Sequence, residues 1–170
     1  MSRYYDYCHD RCAPCRTCCV INTPLPPVPP TPPVSAVQAL QVQLQGSSGG
    51  TLADNANVIF DTVVLNTSSA ISYDSTTGIF TINAPGVYLV NWWVNTDGAD
   101  VATPIILSVE MGATAISSET PPPFTTVQLY GQGLFEVGLV PRTFSLVNRT
   151  GGIVGYATSS VQADLVVFKL

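Results

Sequence analysis

The feature that most constrains the fold is a series of short β-strand patterns in residues 60–93. Two apolar segments, whose facing ends carry Tyr73 and Phe80, flank the polar residues 74–77 and a glycine, Gly78. Polar residues followed by glycine between two apolar segments predict a β-hairpin, because glycine tolerates the left-handed backbone of a tight turn. We therefore expect consecutive antiparallel strands in this part of the chain.

The strand pattern that follows is apolar on both of its faces. Pro85 and Gly86 predict a chain reversal. Residues 86–94 then read GVYLVNWWV, a composition rich in the β-branched and aromatic residues that suit a pleated sheet. Side chains alternate along a strand, so one face would carry Tyr88, Val90, Trp92 and Val94, and the other Val87, Leu89, Asn91 and Trp93. Because Asn91 is the one polar residue among them, we expect both faces to be covered.

These segments resemble the signature of the complement C1q and tumour-necrosis-factor jelly-roll family. The residues with the signature's identity and spacing are Phe60, Asn66, Tyr73, Phe80, Gly86, Tyr88 and Trp92. Three features depart from the pattern: the interval from Asn66 to Tyr73 is longer than usual, Val90 stands where phenylalanine is typical, and Trp92 stands at the last aromatic position. The longer interval predicts a loop insertion, and the resemblance implies a two-sheet jelly roll that forms compact trimers.

Other strand patterns are spread over the rest of the chain. In residues 36–45, Leu40, Val42 and Leu44 alternate with glutamines, which predicts a half-buried strand. Further strand patterns occupy residues 58–60, 62–65, 105–111 with a continuation at 115–116, 125–140, 142–148 and 161–170. About ten short strands with glycine and proline turns, and no helical pattern, predict an all-β, ten-stranded two-sheet jelly-roll sandwich.

The last strand pattern is also apolar on both faces. One face would carry Val161, Ala163, Leu165 and Val167, and the other Gln162, Asp164, Val166, Phe168 and Leu170. In the resembled family the terminal strand lies near the threefold axis, so the resemblance implies that Phe168 and Leu170 lie at a trimer axis. The alternative is that both pack into the core of their own subunit.

The first 22 residues form a cysteine- and tyrosine-rich segment, which we call the anchor. It holds all five cysteines of the chain: Cys8, Cys12, Cys15, Cys18 and Cys19. An odd number of cysteines favours disulfides between chains, because at least one sulfur stays free or pairs outside its own chain. The alternatives are a metal site that includes His9, for which the spacing is poor, and a disordered tail with reduced thiols. Tyr4, Tyr5 and Tyr7 predict that the anchor docks on a partner surface.

Residues 23–33 form a proline linker between the anchor and a β domain at residues 34–170. Seven of the eleven linker residues are proline, which excludes helix and sheet interior. A polyproline II conformation would give a stiff spacer about 34 Å long. The alternatives are a simple tether and a ligand for a proline-binding domain. Bacterial spore-surface members of the resembled group carry a collagen-like stalk before this domain, and this chain has no Gly-X-Y repeat.

Charge and residue content argue against several classes of function. The net charge of −5 disfavours nucleic acid as a partner, and no apolar stretch is long enough to span a membrane. The β domain contains neither histidine nor cysteine, so we expect no catalytic triad, no enzyme activity and no cofactor. Asp97 and Asp100 are too sparse for a calcium loop, and we expect a turn there.

Together these features predict a structural subunit that assembles with itself. Charged residues make up only 10% of the chain, which leaves much uncharged surface for contacts between copies. We expect homotrimers joined head to tail through the anchor, in a fibre or exosporium layer on bacterial endospores. Other spore-coat or exosporium proteins are the further partners we consider. The segment before the domain lacks the pattern of a secretory signal, so exposure would follow lysis of the mother cell. The alternative is a trimeric recognition module, an adhesin or ligand-binding head, tethered by its anchor.

Overall fold

A computed structural model describes residues 37–46, 50–102, 104–119 and 127–170 of the chain. Several predictions lie outside these residues and stay predictions: the boundaries of the anchor and linker, the role of the cysteines, the metal alternative at His9 and the docking role of the three tyrosines. The residues concerned are Cys8, Cys12, Cys15, Cys18, Cys19, His9, Tyr4, Tyr5 and Tyr7.

The described part of the chain contains twelve β-strands and no helix. The strands are β1 (Gln38–Leu44), β2 (Thr51–Leu52), β3 (Thr62–Asn66), β4 (Ile71–Asp74), β5 (Ile79–Ile82), β6 (Gly86–Ala99), β7 (Leu107–Met111), β8 (Thr114–Glu119), β9 (Val127–Val137), β10 (Arg142–Asn148), β11 (Val154–Tyr156) and β12 (Ala163–Lys169). Accordingly, the described residues include no helix long and apolar enough to cross a membrane.

The strands form two antiparallel sheets. The larger sheet has seven strands in the order β2-β11-β6-β12-β1-β3, with β9 also paired to β6. The smaller sheet has five strands in the order β4-β5-β10-β7-β8. The first and last long strands, β1 and β12, are neighbours in the larger sheet, and β6 pairs with β12 and β9 over most of its length. This is the two-sheet jelly roll predicted from the sequence.

The hydrophobic core is built from the inner faces of both sheets. Tyr88, Val90, Trp92 and Val94 of β6 are buried, as are Leu40 and Val42 of β1 and Ala163, Leu165 and Val167 of β12. Each set alternates along its strand, because side chains at even spacing point to the same face. The smaller sheet contributes Phe80, Ile82, Leu107, Val109, Phe144 and Leu146. The alternation predicted for β1, β6 and β12 is therefore confirmed.

The predicted hairpin joins β4 and β5. Tyr73 pairs with Phe80 across it, and the Gly78 amide donates a hydrogen bond of 2.9 Å to the Asp74 carbonyl. The Asp74 carboxylate accepts hydrogen bonds from the Thr76 amide and the Thr77 hydroxyl. Gly78 has a φ of 72°, and a Cβ there would lie 2.7 Å from the Val58 carbonyl oxygen. Both constraints require glycine at this position.

Some predicted strands differ from the observed ones. Residues 58–60 are not a strand, because they cross between the sheets: the Val58 amide donates to the Leu146 carbonyl, and the Asp61 amide donates to the Gln43 carbonyl. The pattern at residues 105–116 is two strands, β7 and β8, which meet at a turn containing Gly112 with a φ of 64°. The short strands β2 and β11 were not predicted, which accounts for twelve strands in place of ten.

Two predicted segments also end differently. β6 continues to Ala99, so Asp97 lies in the strand rather than in the predicted turn, and Asp100 follows it. This extension occurs because β11 pairs with Thr96 and Ala99. The pattern predicted to reach residue 140 ends at Val137 in the structure, and Leu139 is exposed beyond the strand.

Candidate assembly surface

The candidate functional site is the outer face of the larger sheet, on the side opposite the core. Strands β9, β6, β12 and β1 lie side by side, and strand register fixes which side chains are neighbours. The outward positions are Gln128, Tyr130, Gln132, Leu134 and Glu136 on β9; Val87, Leu89, Asn91, Trp93 and Asn95 on β6; Asp164, Val166 and Phe168 on β12; and Ala39, Gln41 and Gln43 on β1. Only Asp164 and Glu136 among them carry a charge.

One end of this face is apolar, and we call it the apolar half. Leu134, Leu89, Phe168 and Ala39 follow one another across β9, β6, β12 and β1. Leu134 is 63% exposed and Leu170, just beyond β12, is 67% exposed. The Leu170 amide donates a hydrogen bond of 2.9 Å to the Val87 carbonyl, which holds the chain end against β6. The structure therefore places Phe168 and Leu170 away from the core of their own subunit.

The other end of the face contains a pocket of about 430 Å³. Tyr130, Trp93, Asp164 and Gln43 follow one another across the same four strands. Trp93, Tyr130 and Asp164 line the pocket together with Asn91 and Gln132. The wall is thus aromatic and amide in character, with one carboxylate.

The Asp164 carboxylate of this pocket is largely buried. Only 7% of the residue is exposed, and its Oδ2 atom accepts hydrogen bonds of 2.8 Å from the Nε2 atoms of both Gln41 and Gln43. The glutamine side chains on β1 therefore hold the carboxylate in place from one side. The opposite side faces the pocket and its aromatic wall.

The signature residues build the core rather than this surface. Phe80 stacks on Phe144 with ring centroids 4.7 Å apart, and it meets Phe60 edge-on at 6.1 Å. The Tyr73 hydroxyl donates to the Phe60 carbonyl and accepts from the Phe60 amide, at 3.1 and 2.7 Å. Burial raises the pKa of the Tyr73 hydroxyl. These contacts tie the crossing segment at residues 58–60 to the hairpin.

The remaining signature positions are turn and packing residues. The Asn66 side chain accepts a hydrogen bond from the Ser68 amide, and the Tyr88 hydroxyl donates one of 2.6 Å to the Ala84 carbonyl. Burial raises the pKa of the Tyr88 hydroxyl. Gly86 has a φ of 150°, and a Cβ there would meet the Lys169 side chain. Trp92 is buried on the inner face of β6.

The structure brings some acidic residues into structural roles. Asp100 Oδ1 accepts a hydrogen bond from the Ile153 amide, which fixes the loop before β11. In the described ranges no group of three or more acidic, histidine or cysteine residues is arranged to hold a metal ion. Glu110 forms an ion pair with Arg149, whose hydrogen bonds lower the pKa of the Glu110 carboxyl.

Sequence reasoning did not find the pocket. Trp93, Tyr130 and Asp164 are far apart in the chain, and only the register of β9, β6 and β12 brings them together. One signal was present: Asp164 is the single charged residue in the otherwise uncharged pattern of residues 161–168. A charge in a strand that is apolar on both faces indicates a specific local partner.

Comparisons with known proteins agree with this architecture. A model of the C1q domain family matches residues 39–127, just over half of the chain. The globular domain of zebrafish complement 1qA is 15% identical with a TM-score of 0.54, covering 78% of this chain and 95% of its own. Murine APRIL at pH 5.0 is 15% identical with a TM-score of 0.56, and the match covers 79% of this chain and 99% of that chain. Eiger TNF from S. frugiperda is 13% identical with a TM-score of 0.55, and the match covers 79% of this chain and 92% of that chain.

A search of curated proteins finds no match. The likeness to the three solved structures is a likeness of fold, and it covers 78–79% of this chain. The family match adds the sequence signature in the first two-thirds of that domain. On these grounds the chain belongs to the C1q domain family.

Proposed function

We propose that this chain is a structural subunit of a self-assembling fibre or surface layer on bacterial endospores. In this proposal the C1q domain forms a homotrimer, and the anchor joins each trimer to the next by docking, by disulfides or by both. Domains of the C1q and tumour-necrosis-factor type typically associate as trimers, which supports the first step.

The observation that carries the proposal is the apolar half of the outer sheet face. Leu89, Leu134, Phe168 and Leu170 form a continuous apolar surface that the described residues of the same chain leave partly open. An exposed apolar patch of this kind on a charge-poor protein is typical of a contact between subunits. A contact through this face would bury the second apolar side of β6 and β12.

The anchor supports the step from trimer to fibre. Its five cysteines and three tyrosines precede a proline linker whose expected length is about 34 Å, comparable to the width of a small domain. A subunit that binds a neighbour through a projecting segment makes a head-to-tail contact, and such contacts give open fibres unless their rotation closes into a ring. Oxidation outside the cell would then make these joints covalent.

The trimer is tested by a charge placed on the apolar half. Sedimentation velocity of the full chain under reducing conditions is expected to show trimers, and Phe168→Asp is expected to convert them to monomers. Leu139→Asp is the matched control, because Leu139 is 85% exposed outside this face. If Phe168→Asp still sediments as a trimer at a protein concentration at which the wild type is trimeric, the proposed contact is wrong.

Fibre formation is tested separately with the cysteines. Electron microscopy of the oxidised full chain is expected to show filaments. Replacing Cys8, Cys12, Cys15, Cys18 and Cys19 with serine is expected to remove reductant-sensitive multimers on a gel and to shorten the filaments. Discrete trimers that are the same with and without these substitutions would favour the alternative, a trimeric recognition module. Antibodies against the domain are expected to label the endospore surface.

A further inference from the structure

A second pocket, of about 480 Å³, opens beside β2, where the larger sheet meets residues 56–61. Its apolar lining is Leu44, Leu52, Ala53, Ala56 and Ile59, and its polar lining is Thr51, Asn57, Asp61 and Tyr156. Small-molecule sites in proteins are typically concave, roughly 300–1,000 Å³ in volume, and lined mainly by apolar side chains with a few polar groups. This pocket fits that description, so its polar groups indicate which ligand suits it.

The second pocket is separate from the outer face of the larger sheet. Leu52 belongs to the buried core, and Leu44, Ala56 and Tyr156 pack against the core from partly buried positions. These side chains lie on the core side of the larger sheet, whereas the proposed trimer contact uses its outer side. A contact between subunits through the outer face therefore does not involve the side chains that build the wall of this pocket.

The hydroxyl of Tyr156 differs from the other buried tyrosine hydroxyls of the domain. Burial raises the pKa of Tyr73, Tyr88 and Tyr156. The hydroxyls of the first two donate hydrogen bonds to the carbonyls of Phe60 and Ala84. The Tyr156 hydroxyl donates to no residue in the described ranges. Because buried tyrosine hydroxyls usually have a hydrogen-bond partner, this donor is suited to an acceptor atom on a ligand in the pocket that Tyr156 lines.

The other polar groups of the pocket favour a ligand without charge. The Asn57 amide is already engaged, since it donates to the Thr77 carbonyl at 2.8 Å. The Asp61 carboxylate accepts hydrogen bonds from the Gln45 amide at 3.0 Å and the Thr62 hydroxyl at 2.8 Å. This carboxylate repels an anion that enters beside it. A cation gains little from a carboxylate that is exposed and already bonded, and it loses water against the apolar wall.

We propose that the second pocket binds a neutral amphiphile, a small molecule with an apolar body and one oxygen that accepts a hydrogen bond from the Tyr156 hydroxyl. The apolar body packs against Leu44, Leu52 and Ile59, and the oxygen supplies the acceptor that the described residues do not. Medium-chain aliphatic alcohols and ethers belong to this chemical class. The inference goes beyond the proposed function, because neither the trimer nor the fibre depends on it.

The test measures binding of a simple member of this class. The full chain under reducing conditions is dialysed to equilibrium against 1-octanol, and gas chromatography measures the alcohol on both sides of the membrane. Octanol is expected to bind with a stoichiometry of about one molecule per chain, as a single pocket requires. Octanoate is the matched control ligand, because it has the same chain length and a negative charge at neutral pH. It is expected to bind roughly tenfold more weakly or not at all.

Variants of the full chain locate the site. Tyr156→Phe removes only the hydroxyl, and it is expected to weaken octanol binding about threefold to tenfold, the usual loss for one neutral hydrogen bond. Ala53→Phe places a ring in the pocket and is expected to abolish binding. Because Ala53 is exposed, this variant reports on the pocket even if Tyr156→Phe folds poorly. Tyr130→Phe removes a hydroxyl from the outer face of the larger sheet, and it is expected to bind octanol as the wild type does.

Three results would overturn the inference. They are absence of octanol binding, equal binding by the wild type, Tyr156→Phe and Ala53→Phe, and binding of octanoate as tight as that of octanol. Equal binding would mean that the alcohol adsorbs to another apolar surface of the chain. Phe168→Asp, which tests the trimer, is expected to leave octanol binding unchanged. Trimers that do not bind octanol would leave the proposed function standing and remove this inference, and monomers that bind it would do the reverse.

Discussion

The two faces of β12 have similar sequences but different surroundings. On the inner face, Ala163, Leu165 and Val167 are completely buried between the two sheets. On the outer face, Val166 and Phe168 are only partly buried. A single two-sheet domain has one core, so it can cover only one face of each strand. A strand that is apolar on both faces therefore indicates that its outer face packs against something other than the core of its own domain.

The outer faces of the two sheets also differ from each other. The smaller sheet carries the Glu110–Arg149 ion pair on β7 and the loop after β10. The four central strands of the larger sheet carry apolar and amide side chains with two carboxylates, as described above. Charged pairs suit a surface that stays in water, whereas an apolar surface without them suits contact with protein. This difference supports the proposal that the larger sheet forms the contact between subunits.

The largest expected effect compares adjacent residues on the two faces of β12. Leu165→Ala is expected to lower the free energy of unfolding by about 2–5 kcal/mol, because it leaves a cavity in a packed core. Val166→Ala is expected to cost roughly 1 kcal/mol or less in dilute solution, since its side chain is partly exposed. Urea unfolding measured at several protein concentrations checks both values.

The concentration series sharpens this comparison. If the outer face packs in an assembly, the effect of Val166→Ala should grow with protein concentration, because association stabilises the folded state by mass action. The effect of Leu165→Ala should be present at every concentration. Equal losses for the two variants in dilute solution would show that the two faces do not differ in burial.

Much of the fold was predictable because its signals are local. The β4–β5 hairpin follows from Gly78 and the polar turn before it, and the buried faces of β1, β6 and β12 follow from alternation. The family signature added the arrangement of two sheets, which alternation alone does not specify. The apolar outer face was also predictable, since β6 and β12 carry apolar residues at both sets of positions.

The features that were missed depend on long-range contacts. Residues 58–60 are apolar like a strand, yet Val58 and Asp61 bond to different sheets, and no local signal shows that. β2 and β11 are two and three residues long; they pair with each other, and β11 also pairs with the end of β6. The pocket at Asp164 requires the register of three strands, β9, β6 and β12, which local sequence patterns do not specify.

A second prediction concerns polar groups on the two sides of the molecule. Tyr73→Phe removes a hydroxyl that bonds to both the amide and the carbonyl of buried Phe60, at 2.7 and 3.1 Å. The loss is expected to be about 1–3 kcal/mol, because the backbone groups of Phe60 are left without this partner. Tyr130→Phe is the matched control on the exposed outer face and is expected to change stability by less than about 0.5 kcal/mol. Urea unfolding of both variants checks this, and equal losses would contradict it.

The smallest expected effect concerns the ion pair of the smaller sheet. Arg149 donates from Nε and Nη2 to the two oxygens of Glu110, at 2.8 and 2.6 Å, and these hydrogen bonds hold the pKa of the Glu110 carboxyl below its ordinary value of 4.5. A carboxyl whose pKa is lower in the folded than in the unfolded state stabilises the fold above the unfolded value. That stabilisation is lost as the pH falls through the lower, folded value.

The pH profile of the melting temperature tests this pair against the larger sheet. Glu110→Gln is expected to melt slightly below the wild type at neutral pH, because the ion pair is lost. The gap is expected to close as the pH falls below the ordinary value of 4.5 and through the lower, folded pKa, because the wild-type carboxyl then also becomes neutral. Glu136→Gln removes an equal charge from the outer face of the larger sheet and is expected to give a smaller difference at neutral pH. A gap for Glu110→Gln that stays constant throughout acid titration of the folded protein would mean that packing at this position, and not the charge pair, distinguishes the two outer faces.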